Sequence, residues 1–442
     1  MEKFDVIIIG AGQAGNPLSK ALAAAGKKIA LVEEKYVGGT CINVGCTPTK
    51  TMIASAEVAQ LARQAHKYGV NCQDLSVDLN RVTERKREIV SQFRESSKQG
   101  IVDAGVSLIY GKATFTGHKT LEVTSQSSPR QLTAETIIID AGGRPNIPDI
   151  SGLDKADYLD STTIMELQEV PEHLLILGGG YIALEFGQMF RRFGSQVTIL
   201  QKSGQLLGRE DADVAQEIQQ ILEEEGIQVY LNAQTETISQ NSDNSIHLQV
   251  ATPGDQIELS GSHLLVATGR IPNSDRMSVD KTGVKLDSRG YIAVNEKLET
   301  NIPGIYAAGD IKGGPAFTHI AYDDYRILEG NLLHEQSLSM KGRMVPYVLY
   351  TDPQLGRIGL SEKEAQAANI NYKVAKIPMK SVARALELSR TSGFMKALVN
   401  PESKQILGAA VLGVEGGEIM SMLQIAMLGN VPYPALRDGI FA

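Results

Sequence analysis

Cysteine is scarce. Three residues among 442 cannot build a disulfide framework, and they lack the paired short spacings of a zinc site. Basic residues are outnumbered too: 43 lysines and arginines face 51 aspartates and glutamates, for a net charge of −8. That balance excludes broad electrostatic capture of nucleic acid or of an anionic membrane. No run of about 18 apolar residues occurs, so no membrane span is expected. The opening MEKFDVIIIGAG passes directly into a strand pattern without the basic region and cleavage site of a signal peptide, and a cytoplasmic protein is expected.

Hydrophobic residues at 42% and charged residues at 21% are those of a globular chain, and the length suits about three domains. FDVIIIGAGQAGNPLSKALAAAGKKIALVEEK reads as an apolar strand, a Gly-rich turn, an Ala/Leu helix and a second apolar strand ending in acids. That is one βαβ unit. Gly10, Gly12 and Gly15 form G-x-G-x-x-G in its turn, with Glu33 closing the second strand. The glycines let the backbone approach a pyrophosphate at the helix N-terminus, and the carboxylate accepts ribose hydroxyls.

LLILGGGYIALEFGQMFRRFGSQVTILQK repeats the order, with Gly178, Gly180 and Ala183 giving G-x-G-x-x-A. The interval from Gly10 to Glu33 equals that from Gly178 to Gln201, so the chain holds two dinucleotide folds. The second strand ends in Gln201-Lys202 where the first has Glu33-Glu34. Without a carboxylate a 2′-phosphate is not repelled, and Lys202 or Arg209 can pair with it, which favours NADPH over NADH. Read blandly, Lys202 is a solvated surface charge. DAGGRPN at 140–146 and ATGRIPN at 267–273 also echo one another, and these Gly/Pro-rich stretches read as exits from the two domains.

Residues 51–104 read as polar helix, and VSLIYGKATFTG with TLEVTS as a hairpin or meander. IAVNEKLETNIPGIYAAGD gives a strand ending at Gly309-Asp310, followed by a helix rich in Asp and Tyr. From about 341 the strand-like VPYVLY, GFMKALV and ILGAAVLG, with an amphipathic Met-rich helix at 418–429, indicate an α+β domain.

GGTCINVGCTPTK carries two of the cysteines, Cys41 and Cys46. On a regular helix residues five apart have Cα atoms roughly 8.7 Å apart, beyond the limit of about 7 Å for a disulfide. A bridge needs a tightened turn, for which Gly39, Gly45 and Pro48 are suited. Such a bridge is readily reduced and suits a redox couple; the alternative is two unrelated buried thiols. Cys72 stands alone and reads as an ordinary buried thiol.

Taken with GGGYIALE, ATGRIPN, IYAAGD and VPYVLYTDPQLGRIGLSEKEA, these motifs make the chain resemble the class I flavin-dependent pyridine nucleotide-disulfide oxidoreductases. That family includes glutathione reductase, dihydrolipoamide dehydrogenase and mercuric reductase. FTHIAYDDYRIL and ILGAAVLGVEGGEIM are most similar to its mercuric reductase-like members and to flavoproteins of reactive-chlorine and hypothiocyanite defence. The resemblance implies an α/β protein with two Rossmann-like domains, for FAD and NAD(P), plus a C-terminal α+β dimerisation domain. The boundaries would be 1–150 for the first part of the FAD domain, 151–272 for NAD(P), 273–340 for the central FAD part and 341–442 for dimerisation.

The resemblance also implies roles. FAD would be bound by Gly10, Gly12, Gly15, Glu33, Gly39, Thr40, Lys50, Ala113, Gly142 and Asp310, with backbone contacts at Phe317 and Thr318. The nicotinamide nucleotide would be bound by Gly178, Gly180, Tyr181, Ala183, Gln201, Lys202 and Gly269, Tyr181 covering the flavin face until displaced. Lys50 would pair with Glu185 beside the flavin. Cys46 would be the charge-transfer thiolate, and Cys41 the thiol that attacks substrate or, with Cys46, transiently captures a metal ion. A homodimer is expected. The leading substrate is a mercuric or other thiophilic metal ion; the alternatives are a small oxidant or disulfide such as hypothiocyanite, or a redox-sensing flavoprotein.

Two departures stand out. IIIDAGG places Asp140-Ala141 where relatives usually carry alanine-threonine. Relatives also continue past the segment matching RDGIFA with His-Pro-Thr and then Glu, the histidine acting as acid/base for the partner subunit; a continuation of that kind is expected here. His319 in AFTHI is expected to be structural rather than a substitute base.

Overall fold

The computed structural model describes residues 1–126 and 128–441 and divides into two compact units. One comprises 1–51, 84–146 and 270–343; the other comprises 52–83, 147–269 and the chain from Met344 onward.

In the first unit, strand β1 (Glu2–Ile9) leads through helix α1 (Gly15–Ala24) to β2 (Ile29–Glu33). β1 lies between β2 and Arg130–Ile139, parallel to both, with Ile7 opposite Ala30 and Ile137. A central parallel strand is covered on both faces, so VIII is a continuous apolar run. Ile8 packs with Leu18 and Leu22 of α1, while Ile7 packs with Phe115 and Leu121. Lys112–Gly117 and Thr120–Thr124 form an antiparallel hairpin beside Arg130–Ile139. Ser107–Tyr110 is not part of that meander: it follows the long helix Leu79–Asp103, a crossover, and pairs parallel with β2. Ile305–Ala307 adds a parallel strand at the C-terminal half of Arg130–Ile139. The two echoed Gly/Pro stretches zip together, Gly143–Pro145 antiparallel to Arg270–Pro272, braced by a bidentate Arg144–Asp275 pair at 2.8 and 2.6 Å.

The segment that carries Cys41 and Cys46 consists of two helices, α2 (Gly39–Val44) and α3 (Cys46–Arg63), separated by Gly45.

The second unit repeats the βαβ order in β3 (His173–Leu177), α4 (Tyr181–Phe193) and β4 (Gln196–Gln201). Its parallel sheet runs Gln228–Leu231, β4, β3, His263–Val266. The close approach at the Gly-rich turn is the same in both units. A Cβ on Gly10 would stand 2.2 Å from the Asp140 carbonyl oxygen, and one on Gly178 would stand 2.5 Å from that of Ala267. Both positions have φ above +100°, so glycine is required twice over.

The same unit contains an antiparallel sheet ordered Tyr347–Leu349, Gln354–Gly359, Ile406–Gly413, Phe394–Val399, Lys373–Pro378. Helix α5 (Gly416–Leu428) packs across Gln354–Gly359 and Ile406–Gly413. It is apolar on both faces rather than amphipathic. Met420 and Ala426 are buried against the sheet, yet Met422, Ile425 and Leu428 are 62%, 70% and 61% exposed.

Cys72 is exposed, not buried, because residues 70–78 form no helix or strand that anything packs over. Among the described residues no helix is long and apolar enough to cross a membrane.

Candidate active site

The sulfur pair is built by the helix break. Gly45 adopts φ −134° and ψ −118° and ends α2, which turns Cys46 back toward Cys41 as the first residue of α3. A Cβ on Gly45 would lie 2.8 Å from the Thr40 carbonyl oxygen and 3.2 Å from Cys41 Cα, so only glycine allows the turn. Cys41 is half-buried and Cys46 exposed, and the two hydrogen-bond to one another. Cys46 Sγ also lies 3.3 Å from Thr318 Oγ1. The hydrogen bond to Cys46, then burial, push the Cys41 thiol far above its ordinary range. The N-terminus of α3 favours negative charge at Cys46, its first residue. Lys50 follows one turn along the same helix.

The segment is pinned to the dinucleotide turn. The Gly38 amide donates to the Ala11 carbonyl at 2.8 Å, and the Gln13 side chain donates to the Gly38 carbonyl at 3.1 Å. Asn43 donates to the Val37 and Gly39 carbonyls and accepts from Arg94 at 2.8 Å. Arg94 in turn lies over the Tyr36 ring at 3.9 Å. Sequence reasoning missed Asn43 and Arg94, since nothing local links a helix asparagine to an arginine 51 positions away.

Around the first turn, Glu33 accepts from the Ala11 amide at 2.9 Å and from the amides of Lys35 and Tyr36. Asp140 accepts from the Gly15 amide at 2.8 Å. Burial, with Asp310 and Asp324 nearby, pushes Asp140 well above the usual carboxylate range. Asp310 sits in the turn Gly309–Lys312, and its carboxyl is also raised by burial. Buried Asp324 holds that turn: it accepts from the Gly309 amide at 2.9 Å and pairs with Lys312 and Arg343 at 3.2 and 2.8 Å. Thr40 is exposed and Ala113 is buried in the sheet core. Phe317 and exposed His319 stack at 5.4 Å. Gly142 and Gly269 each precede one strand of the Gly/Pro ribbon.

In the second unit Gly180 caps α4, Tyr181 begins it and Ala183 is wholly buried within it. Gln201 closes β4 and turns its amide to Ser203 and the Gln205 carbonyl. Lys202 and Arg209 are exposed on the following loop. Tyr181 donates to Glu210 at 3.2 Å. Glu185, 7% exposed, accepts from the Tyr350 amide at 3.0 Å.

The chain is similar in sequence and fold to known proteins. Residues 4–324 match the pyridine nucleotide-disulphide oxidoreductase family and residues 345–442 match its dimerisation domain. The chain is 36% identical over 446 residues to the probable pyridine nucleotide-disulfide oxidoreductase RclA of Escherichia coli, covering all of this chain and 96% of that protein. It is 34% identical to a mercuric reductase of Staphylococcus aureus, covering 98% and 79% of the two chains. A structure described as the Cu(II) complex of the HOCl-induced flavoprotein disulfide reductase RclA from Escherichia coli matches with a TM-score of 0.91 at 36% identity, over 100% of this chain and 96% of that one. With a duplicated dinucleotide fold and a dithiol at the start of a helix, the chain belongs to the pyridine nucleotide-disulphide oxidoreductases, enzymes that use FAD and a nicotinamide nucleotide.

Proposed function

We propose that this enzyme is an NADPH-dependent, FAD-containing dithiol reductase, a cytoplasmic homodimer whose Cys41–Cys46 pair delivers electrons to a thiophilic metal ion, mercuric or cupric. The observation that carries the reading is the sulfur pair: two thiols hydrogen-bonded across a helix break, Cys46 at the first residue of α3 and Cys41 within α2.

The residues fit the flavin. Gly10, Gly12, Gly15, Glu33, Gly39, Thr40 and Asp310 would hold it. Buried Asn16 Oδ1, in the first turn of α1, has no hydrogen-bond partner, and burial raises the Asp140 carboxyl beneath the turn, which disfavours a charge that would repel a diphosphate. When bound, FAD relays the electron pair of NADPH to the sulfurs. Lys50, one turn beyond Cys46 on α3, would supply positive charge beside that cofactor. Gln201 leaves the 2′-phosphate unopposed, and Lys202 and Arg209 pair with it, which selects NADPH over NADH.

The sulfurs then act as ligands. Thiolate ligation requires deprotonation, so a soft divalent cation bound by both sulfurs displaces the Cys41 proton. The mercuric reductase of Staphylococcus aureus and the Cu(II) complex of the Escherichia coli protein support this substrate class. A second reading, reduction of a small chlorine-derived oxidant, is supported by the description of the Escherichia coli protein as HOCl-induced.

Steady-state NADPH consumption tests the reading. Mercuric or cupric ion should stimulate consumption, and Cys41→Ser or Cys46→Ser should reduce it at least about 100-fold. Stimulation by hypochlorous acid products alone favours the second reading, and stimulation that survives in both variants contradicts the dithiol.

A further inference from the structure

Glu210 is wholly buried and accepts three side-chain hydrogen bonds. Tyr347 donates to Oε1 at 2.6 Å, Tyr181 to the same oxygen at 3.2 Å, and Arg357 Nε to Oε2 at 3.0 Å. Arg357 is itself 4% exposed and anchored on the Ala409 carbonyl at 2.8 Å. The two tyrosine rings pack with centroids 5.7 Å apart at 59°. Burial first, then the Glu210 charge, raise both phenols, Tyr347 to about 12, so both remain donors throughout the physiological range.

Glu210 cannot follow Tyr181 if the ring moves. Its amide donates to the Leu207 carbonyl at 2.8 Å, and its carbonyl accepts from Lys363 at 2.6 Å and from Gln205. Leu207 is tied to the Gly179 carbonyl at 2.9 Å, in the second Gly-rich turn. The acceptor is therefore fixed to the turn that launches Tyr181.

We propose that Glu210, held by Arg357 and Tyr347, is a positioning residue that latches Tyr181 in place, so that the nicotinamide end of the nucleotide must break the Tyr181–Glu210 hydrogen bond to enter. The proposal rests on the nucleotide-binding reading above. It separates the two ends of the ligand. The adenosine phosphate end, at Lys202 and Arg209, does not displace Tyr181; the nicotinamide end does.

The test is calorimetric titration of the oxidised FAD-loaded enzyme with NADP+ and, separately, with 2′,5′-ADP. A hydrogen bond to a charged acceptor is worth enough that Tyr181→Phe, which keeps the ring and removes the hydroxyl, should tighten NADP+ binding roughly tenfold. Binding of 2′,5′-ADP should not change. Glu210→Gln should give the same split in smaller size; because it leaves Arg357 buried against a neutral amide and can unfold the protein, the decision rests on Tyr181→Phe. Unchanged affinity for NADP+, or an equal change for both ligands, overturns the latch while leaving nucleotide binding intact. Failure of the wild-type enzyme to bind either ligand overturns the nucleotide reading and the latch with it.

Discussion

Cys46 Sγ lies 3.3 Å from Thr318 Oγ1, a residue 272 positions further along the chain. A hydroxyl at that distance can donate to a thiolate, and such charge-assisted bonds contribute about 1.5–3 kcal/mol. Thr318→Val keeps the volume and removes the donor. Alkylation of Cys46 by iodoacetamide at pH 7 should slow about tenfold, because less thiolate is present; an unchanged rate means that the α3 N-terminus alone sets its reactivity.

A second relationship bears on stability. Lys396, 1% exposed at its side chain, donates to Asp211, Asp213 and Glu362 at 2.8, 2.8 and 2.9 Å. The three carboxylates have the spacing of a metal site, and the ammonium sits where a cation would. Lys396→Met should cost about 3 kcal/mol, the low end for a broken buried pair because Asp213 and Glu362 are partly exposed. Burial raises the Asp211 and Asp213 carboxyls, but their hydrogen bonds to Lys396 and its neighbours outweigh it and leave both lowered. Their stabilisation is in force above the unfolded carboxylate value of about 3.9 and is lost as pH falls through the lower folded values. Wild-type melting temperature should drop below pH 4, and the Lys396→Met profile should be flatter there. Parallel profiles contradict the assignment.

Asp140 has the opposite sign. Burial holds its folded-state proton far more tightly than the unfolded chain does, so stability is greatest below about pH 4 and declines as pH rises through the folded value. Asp140→Asn preserves an oxygen for the Gly15 amide and has no proton to lose. In thermal melts the variant should be more stable than wild type at pH 8, with the gap closing toward pH 4. A gap independent of pH means that Asp140 does not titrate between these limits.

Both βαβ units were legible because an apolar strand, a Gly-rich turn and a helix are local patterns, and the need for an irregular turn between Cys41 and Cys46 followed from helix geometry alone. The long-range polar partners were not legible. Glu210 meets Tyr347 and Arg357 across 137 and 147 positions, and Asp140 meets Gly15 across 125; single polar residues carry no periodicity that would announce such pairs. Cys72 was misread because burial is the habit of its residue type, whereas its segment has no packed element. Helix α5 was read as amphipathic from spacing, yet the structure leaves a second apolar face uncovered.

That second face predicts an assembly. Met422, Ile425 and Leu428 form an exposed apolar stripe in the region matching the family's dimerisation domain. Ile425→Glu places a charge in the proposed interface, and sedimentation should shift from dimer to monomer at micromolar concentration. If the stripe only packs its own domain, the variant will sediment as wild type does.

The central claim, that the Cys41–Cys46 pair exchanges electrons with a bound flavin, is tested most directly by anaerobic titration of the purified enzyme with NADPH while its absorption spectrum is recorded. A long-wavelength band should appear in the wild type, persist in Cys41→Ser and be missing in Cys46→Ser. A band that survives in Cys46→Ser, or a purified protein that takes up no flavin, contradicts the account.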